Sequence, residues 1–112
     1  MGYKDHDIWK LCHQFTLDIY ALTAKYPKEE LYGITSQLRM AASLIPTNIS
    51  EALSRDTVPE FNKFLTIALG SAAESEYLIL LSKDLNFIDE ATYQKFDKGI
   101  KKIKEKINSL KK

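Results

Sequence analysis

The chain has one cysteine in 112 residues, Cys12, so no internal disulfide can form. That usage fits a reducing compartment, and the thiol's expected role is that of a small core hydrophobe. The glycines, at positions 2, 33, 70 and 99, stand far apart, which leaves no glycine-rich loop to cradle a phosphate. Two histidines are present, and neither follows a glutamate by three residues, so the Glu-x-x-His pairs of di-iron bundles are missing. His6 and His13 lie seven residues apart, two helical turns, which is too far to chelate one ion. Cys12 and His13 are adjacent, and neighbouring side chains on a helix diverge by about 100°, so they cannot act as nucleophile and base. With no cofactor, metal or catalytic constellation expected, the sequence reads as a non-enzyme.

Long apolar runs and a secretion signal are also wanting. No stretch reaches the roughly 20 apolar residues of a membrane span, and acidic residues occupy the place of a signal peptide's apolar segment. The expectation is a single domain over residues 1–112, cytoplasmic, with no membrane partner. Hydrophobic residues make up 45% and charged residues 28%, an ordinary globular balance.

What the chain does contain is helical periodicity. Ile8, Cys12, Phe15, Ile19, Leu22 and Tyr26 recur at steps of three and four; so do Leu38, Ala41, Ile45, Ile49 and Ala52, and then Phe61, Leu65, Ala68, Ala72, Ser75 and Ile79. Tyr93, Phe96, Ile100, Ile103, Ile107 and Leu110 form the most regular seam. These patterns predict helices over about 6–26, 35–54, 58–85 and 90–110. Asp5 or Asp7 is expected to cap the first, Thr35 or Ser36 the second, Thr57 the third in a Thr-x-x-Glu box, and Asp89 the fourth. Pro46 should kink the second helix near Leu44 and Ile45 without dividing it. Gly70-Ser71-Ala72-Ala73, mid-helix, suggests close approach by a neighbouring helix. No alternating strand pattern occurs, so the fold class is all-α, an antiparallel up-and-down four-helix bundle.

Charge is unevenly spread. Residues 1–94 hold 8 Lys or Arg against 13 Asp or Glu, a net of −5, while residues 95–112 hold 8 Lys against Asp97 and Glu105, a net of +6. With the apolar seam of the fourth helix facing inward, Lys95, Lys98, Lys101 and Lys102 are expected on the opposite side as one patch, either a solvated face or a phosphate-binding surface. In the middle helices Gln37, Asn48, Glu51, Glu74 and Glu76, with Arg39 and Arg55, interrupt apolar surroundings. They read either as a polar network that fixes helix register or, around Arg39 and Arg55, as a ligand or nucleic-acid contact. Trp9, Tyr3, Tyr32 and the small-residue face exceed what one bundle interior needs, which predicts a homo-oligomer.

Four stretches carry a family resemblance: Tyr3-Lys4-Asp5 followed by Ile8-Trp9; Tyr32-Gly33-Ile34-Thr35-Ser36-Gln37-Leu38-Arg39; Ala41-Ala42-Ser43-Leu44-Ile45-Pro46-Thr47-Asn48-Ile49-Ser50-Glu51; and Phe61-Asn62-Lys63-Phe64-Leu65-Thr66-Ile67-Ala68-Leu69-Gly70-Ser71. The sequence resembles the bacterial 23S rRNA intervening-sequence proteins, related to the accessory protein of diversity-generating retroelements. The resemblance implies a ring-shaped homopentamer and RNA or DNA binding by an accessory protein. Met40 departs from the second arginine of many relatives, and Ala52 from their usual glycine. Against nucleic-acid binding stands the alternative of a scaffold whose acidic surface, within residues 1–94, docks a protein partner.

Overall fold

The computed structural model describes residues 2–112. Four helices account for most of it: α1 (Asp7–Thr23), α2 (Ser36–Leu53), α3 (Val58–Asp84) and α4 (Glu90–Leu110). A short 3₁₀ turn, Tyr3–Asp5, precedes α1; a second, Lys28–Glu30, and a π-helical segment, Leu31–Thr35, lead into α2.

Contacts give the direction of each packed pair. Thr16 and Thr23 of α1 bond to Ala42 and Arg39 of α2, so one sequence rises as the other falls. Between α3 and α4 the pairs are Asn62 with Lys112, Glu76 with Lys104 and Lys83 with Glu90. Phe15 of α1 meets Phe96 of α4, while Ile8 and Leu110 share a hollow at the bundle's end. All three pairs are antiparallel. α2 and α3 are joined by residues 54–57 and pack along one another, so α1 and α3 sit on a diagonal with α2 and α4 between them.

One core runs the length of the bundle. Ile19, Leu38, Ile45, Ile49, Leu65, Ile79, Ile100, Ile103 and Ile107 are essentially sealed from water, each burial worth about 1.5–3 kcal/mol. Cys12 lies among them, and burial pushes its thiol up to about 12.

The helix ends match expectation where the cap is local. Thr57 Oγ1 accepts the Glu60 amide at 3.3 Å, and Asp89 Oδ1 accepts that of Thr92 at 2.8 Å. Asn86, at φ 64°, closes α3: its amide donates to Lys83 O and that of Phe87 to Ser82 O, both at 2.9 Å, the paired bonds of a left-handed helix end. α2 runs unbroken through Pro46, one helix as expected.

Other ends differ. Neither Asp5 nor Asp7 caps α1; His6 occupies the cap position with no side-chain bond. α1 stops at Thr23, three residues early, because Pro27 disfavours helical geometry at Tyr26 and the last turn loosens into Lys25–Leu22 and Tyr26–Thr23 bonds. Neither Thr35 nor Ser36 caps α2. Thr35 is already helical, its hydroxyl buried without a partner, and the Glu30 carboxylate, further upstream, accepts the Ile34 amide at 3.4 Å. Gly70 is exposed, and a Cβ there would meet nothing within 4 Å, so no helix of the same chain approaches it.

α3 exceeds the sequence-based reading in one respect. By length and composition it is apolar enough to cross a membrane, with a window of mean hydropathy 1.4, yet only 39% of that window is buried in the bundle.

Candidate nucleic-acid interface

The basic segment folds as the outer and flanking faces of α4. Lys95, Lys98 and Lys102 are exposed and share one side of the helix, with Lys106 extending the row by another turn. Among the described residues none of the four enters an ion pair. Lys95 and Lys102 border a hollow of about 180 Å³ with Gln14 and Asp18 of α1.

Lys101 does not belong to this row. Its ammonium donates to Asp97 Oδ2 at 2.6 Å, an i,i+4 pair, and that bond raises its pKa above the usual lysine range. Asp97 is itself buried, so Lys101 covers a core-edge carboxylate and its charge is committed there. Lys104 is likewise committed, to Glu76 of α3 at 2.8 Å.

The two arginines do not form one site. They lie sixteen residues apart along α2 and its C-terminal cap region, roughly 24 Å on a helix. Arg39 donates through Nε to Thr23 Oγ1 at 2.8 Å and through Nη2 to Tyr20 O at 3.4 Å, with its guanidinium 4.7 Å above the Tyr20 ring. Arg55 pairs with Glu51 and lies 4.7 Å over the Phe64 ring. Each arginine fastens neighbouring elements together.

Nor do the polar residues of the middle helices make a network. Gln37 and Glu74 are exposed, Asn48 is buried and donates to Leu44 O of its own helix at 2.8 Å, Glu51 serves Arg55, and Glu76 serves Lys104. No hydrogen bond joins any two of the five among the described residues. The buried hydroxyls of Thr16, Thr23, Ser75 and Ser82 instead bond to backbone carbonyls.

Open hollows line the α1–α4 seam, among them one of about 540 Å³ at the end formed by His6, Leu11 and Leu110. Two more lie on the outer side of the α1–α2 seam. There Trp9 stacks on His13 with centroids 4.7 Å apart, and Tyr3 meets the indole edge at 5.2 Å. The sequence signalled this only as surplus aromatic surface. No group of three or more His, Cys, Asp or Glu positioned for a metal occurs among the described residues.

These features define an all-helical bundle whose distinctive chemistry lies on its outer faces. Similarity to known proteins sharpens the class. The sequence profile of the 23S rRNA-intervening sequence proteins matches residues 4–109, and the chain belongs to that family. Among solved structures it is similar to a protein of unknown function from the S23 ribosomal protein family of Bacteroides thetaiotaomicron, with a TM-score of 0.86 and 23% identity over 92% of this chain and 93% of that one. That likeness shows the fold. No curated protein sequence matches the chain.

Proposed function

We propose that the protein is a non-enzymatic accessory protein of the bacterial cytoplasm, assembled as a homopentamer, that binds nucleic acid through its phosphate backbone. The observation that carries this reading is the row Lys95, Lys98, Lys102 and Lys106, exposed on one side of α4 and free of ion pairs among the described residues. Lysines attract phosphate as point charges, without reading bases, and release counterions on binding. A ring would repeat the row in every subunit, so weak single contacts become one multivalent surface. Family membership agrees with the reading but names no ligand for this chain.

Fluorescence anisotropy with a labelled RNA and a matched DNA, at two salt concentrations, tests it. The parent should bind both at low salt and weaken steeply as salt rises. A Lys95→Glu, Lys98→Glu, Lys102→Glu variant should lose at least tenfold in affinity while assembling normally. Equal binding by parent and variant sinks the α4 assignment.

The scaffold reading draws on the net −5 of residues 1–94. Failure of the parent to bind either nucleic acid at low salt would favour it.

A further inference from the structure

Two faces of the molecule are apolar and uncovered. The first is the groove between α1 and α2 on its outer side, where hollows of about 330 and 290 Å³ meet at Ser43. Trp9, Tyr20, Tyr32, Met40 and Arg39 give it its character; Tyr32 is 92% exposed and Met40 62%. No aspartate, glutamate or lysine lines either hollow. Aromatics, methionine and arginine without other charge are the composition of an interface core between proteins. A phosphate-rich ligand would want more than one cation there.

The second face is the outside of α3. Ile67, Gly70, Ala73, Tyr77 and Leu80 follow one another at steps of three and four, so they lie on one stripe, and Tyr77 is 58% exposed. This stripe is part of the apolar surface of α3 that the bundle leaves unburied. Between Lys63 and Lys83 the only charges on α3 are Glu74 and Glu76, and Glu76 is paired with Lys104. Glu74 is exposed beside the stripe and enters no ion pair among the described residues.

Length and charge match. The groove follows α2 from Ser36 to Ser50, about 21 Å, and the stripe from Ile67 to Leu80 runs about 20 Å. Arg39 spends two of its five N–H donors on Thr23 and Tyr20, which leaves donors for a carboxylate. Glu74 supplies one.

We propose that the outer face of α3 in one copy of the chain seats in the α1–α2 groove of a second copy, with Ile67 and Tyr77 against Tyr20, Tyr32 and Met40, and Glu74 facing Arg39. The inference rests on the oligomeric half of the proposed function and is independent of nucleic-acid binding. Every copy then offers a groove on one side and a stripe on another, because α1 and α3 occupy opposite corners of the bundle. The contact is head-to-tail, the kind that generates rings when its rotation closes. α4 remains outside it, with its lysine row open to solvent.

Single cysteines in the full chain test the arrangement. Cys12 stays in place, since burial holds it protonated. A short bismaleimide should link a mixture of Met40→Cys and Tyr77→Cys chains, neither variant alone, and should give a ladder of multimers from the double variant. Tyr77→Glu, at an exposed position, should keep full helix content by circular dichroism yet run as a monomer in light scattering. Linking of either single variant to itself would replace the proposal with a two-fold dimer contact. An assembled Tyr77→Glu protein, or an assembled parent whose mixture fails to link, overturns this pairing of faces while leaving an oligomer. Quenching of Trp9, the sole tryptophan, by single-stranded RNA in the intact assembly would overturn it in favour of a groove for stacked bases. A parent that is monomeric at micromolar concentration would overturn both this inference and the oligomeric reading.

Discussion

Thr16 repairs what Pro46 breaks. Proline has no amide hydrogen, so the carbonyl of Ala42, four residues back in α2, loses its helical donor. The Thr16 hydroxyl, on α1, reaches that carbonyl at 3.1 Å while also lying 2.9 Å from Cys12 O of its own helix. An interior break in one helix thus becomes a cross-link between two.

The pair should behave as coupled in a double-mutant cycle. Thr16→Val leaves a buried carbonyl unpaired and should cost about 1–3 kcal/mol. Pro46→Ala restores the amide, keeps the helix content and should recover most of that loss in the Thr16→Val background. Urea denaturation at a fixed protein concentration measures both. Additive effects of the two changes would show that Thr16 serves only Cys12.

Gly70→Ala should stabilise the folded chain by about 1 kcal/mol, because an alanine in a helix interior is favoured and its Cβ meets nothing within the subunit. The same variant should assemble less tightly if Gly70 lies against a second copy. Denaturation and light scattering would move in opposite directions. A loss of folding stability would mean that Gly70 serves the helix itself.

The Asp89 cap makes a pH-dependent contribution. Its bonds to Thr92 hold the carboxyl below the usual carboxylate range, so its stabilising effect is fully present above the unfolded pKa of about 3.9. It fades as the pH falls through the lower folded value. Asp89→Ala should therefore melt at a lower temperature than the parent at pH 7, and the gap should narrow below about pH 4. A gap that persists unchanged in acid would refute the cap's role.

Tyr26 is buried, and burial raises its pKa more than the nearby Ser82 hydroxyl lowers it; Ser82 Oγ donates to Leu78 O at 2.7 Å, and the Tyr26 hydroxyl has no partner of good geometry among the described residues. An acid with a raised folded pKa costs stability as pH climbs past the unfolded value, about 10 for tyrosine. Tyr26→Phe keeps the ring against Phe87 and should match the parent at neutral pH or exceed it by up to about 1 kcal/mol. In alkali its advantage should grow. A clearly less stable variant would reveal a hydroxyl partner.

The four helices, their inward faces and the ends at Thr57 and Asp89 were readable because each depends on residues within one or two turns. The entry to α2 was not. Its cap is Glu30, which precedes a glycine of non-helical geometry, and nothing in the pattern favours that glutamate over Thr35 or Ser36. Arg39 looked like a free cation because its partners lie on another helix, sixteen and nineteen residues away. Lys101 was different: Asp97 stands four residues before it, a spacing that predicts an ion pair. Sorting lysines by face alone concealed it. At Gly70 the expected close helix approach is absent within the chain, because sequence cannot say whether the surface a small residue opens faces the same chain.

The order of packing also bears on how the protein is made. α2 packs on α1, α3 on α2 and α4 on α3, so on a ribosome each helix emerges with its partner already synthesised. The long apolar α3 meets a finished α2 and waits only for the twenty-one residues of α4. The α1–α4 contact joins helices far apart in sequence, and its seam is lined by open hollows. It is where hydrogen exchange should first report opening.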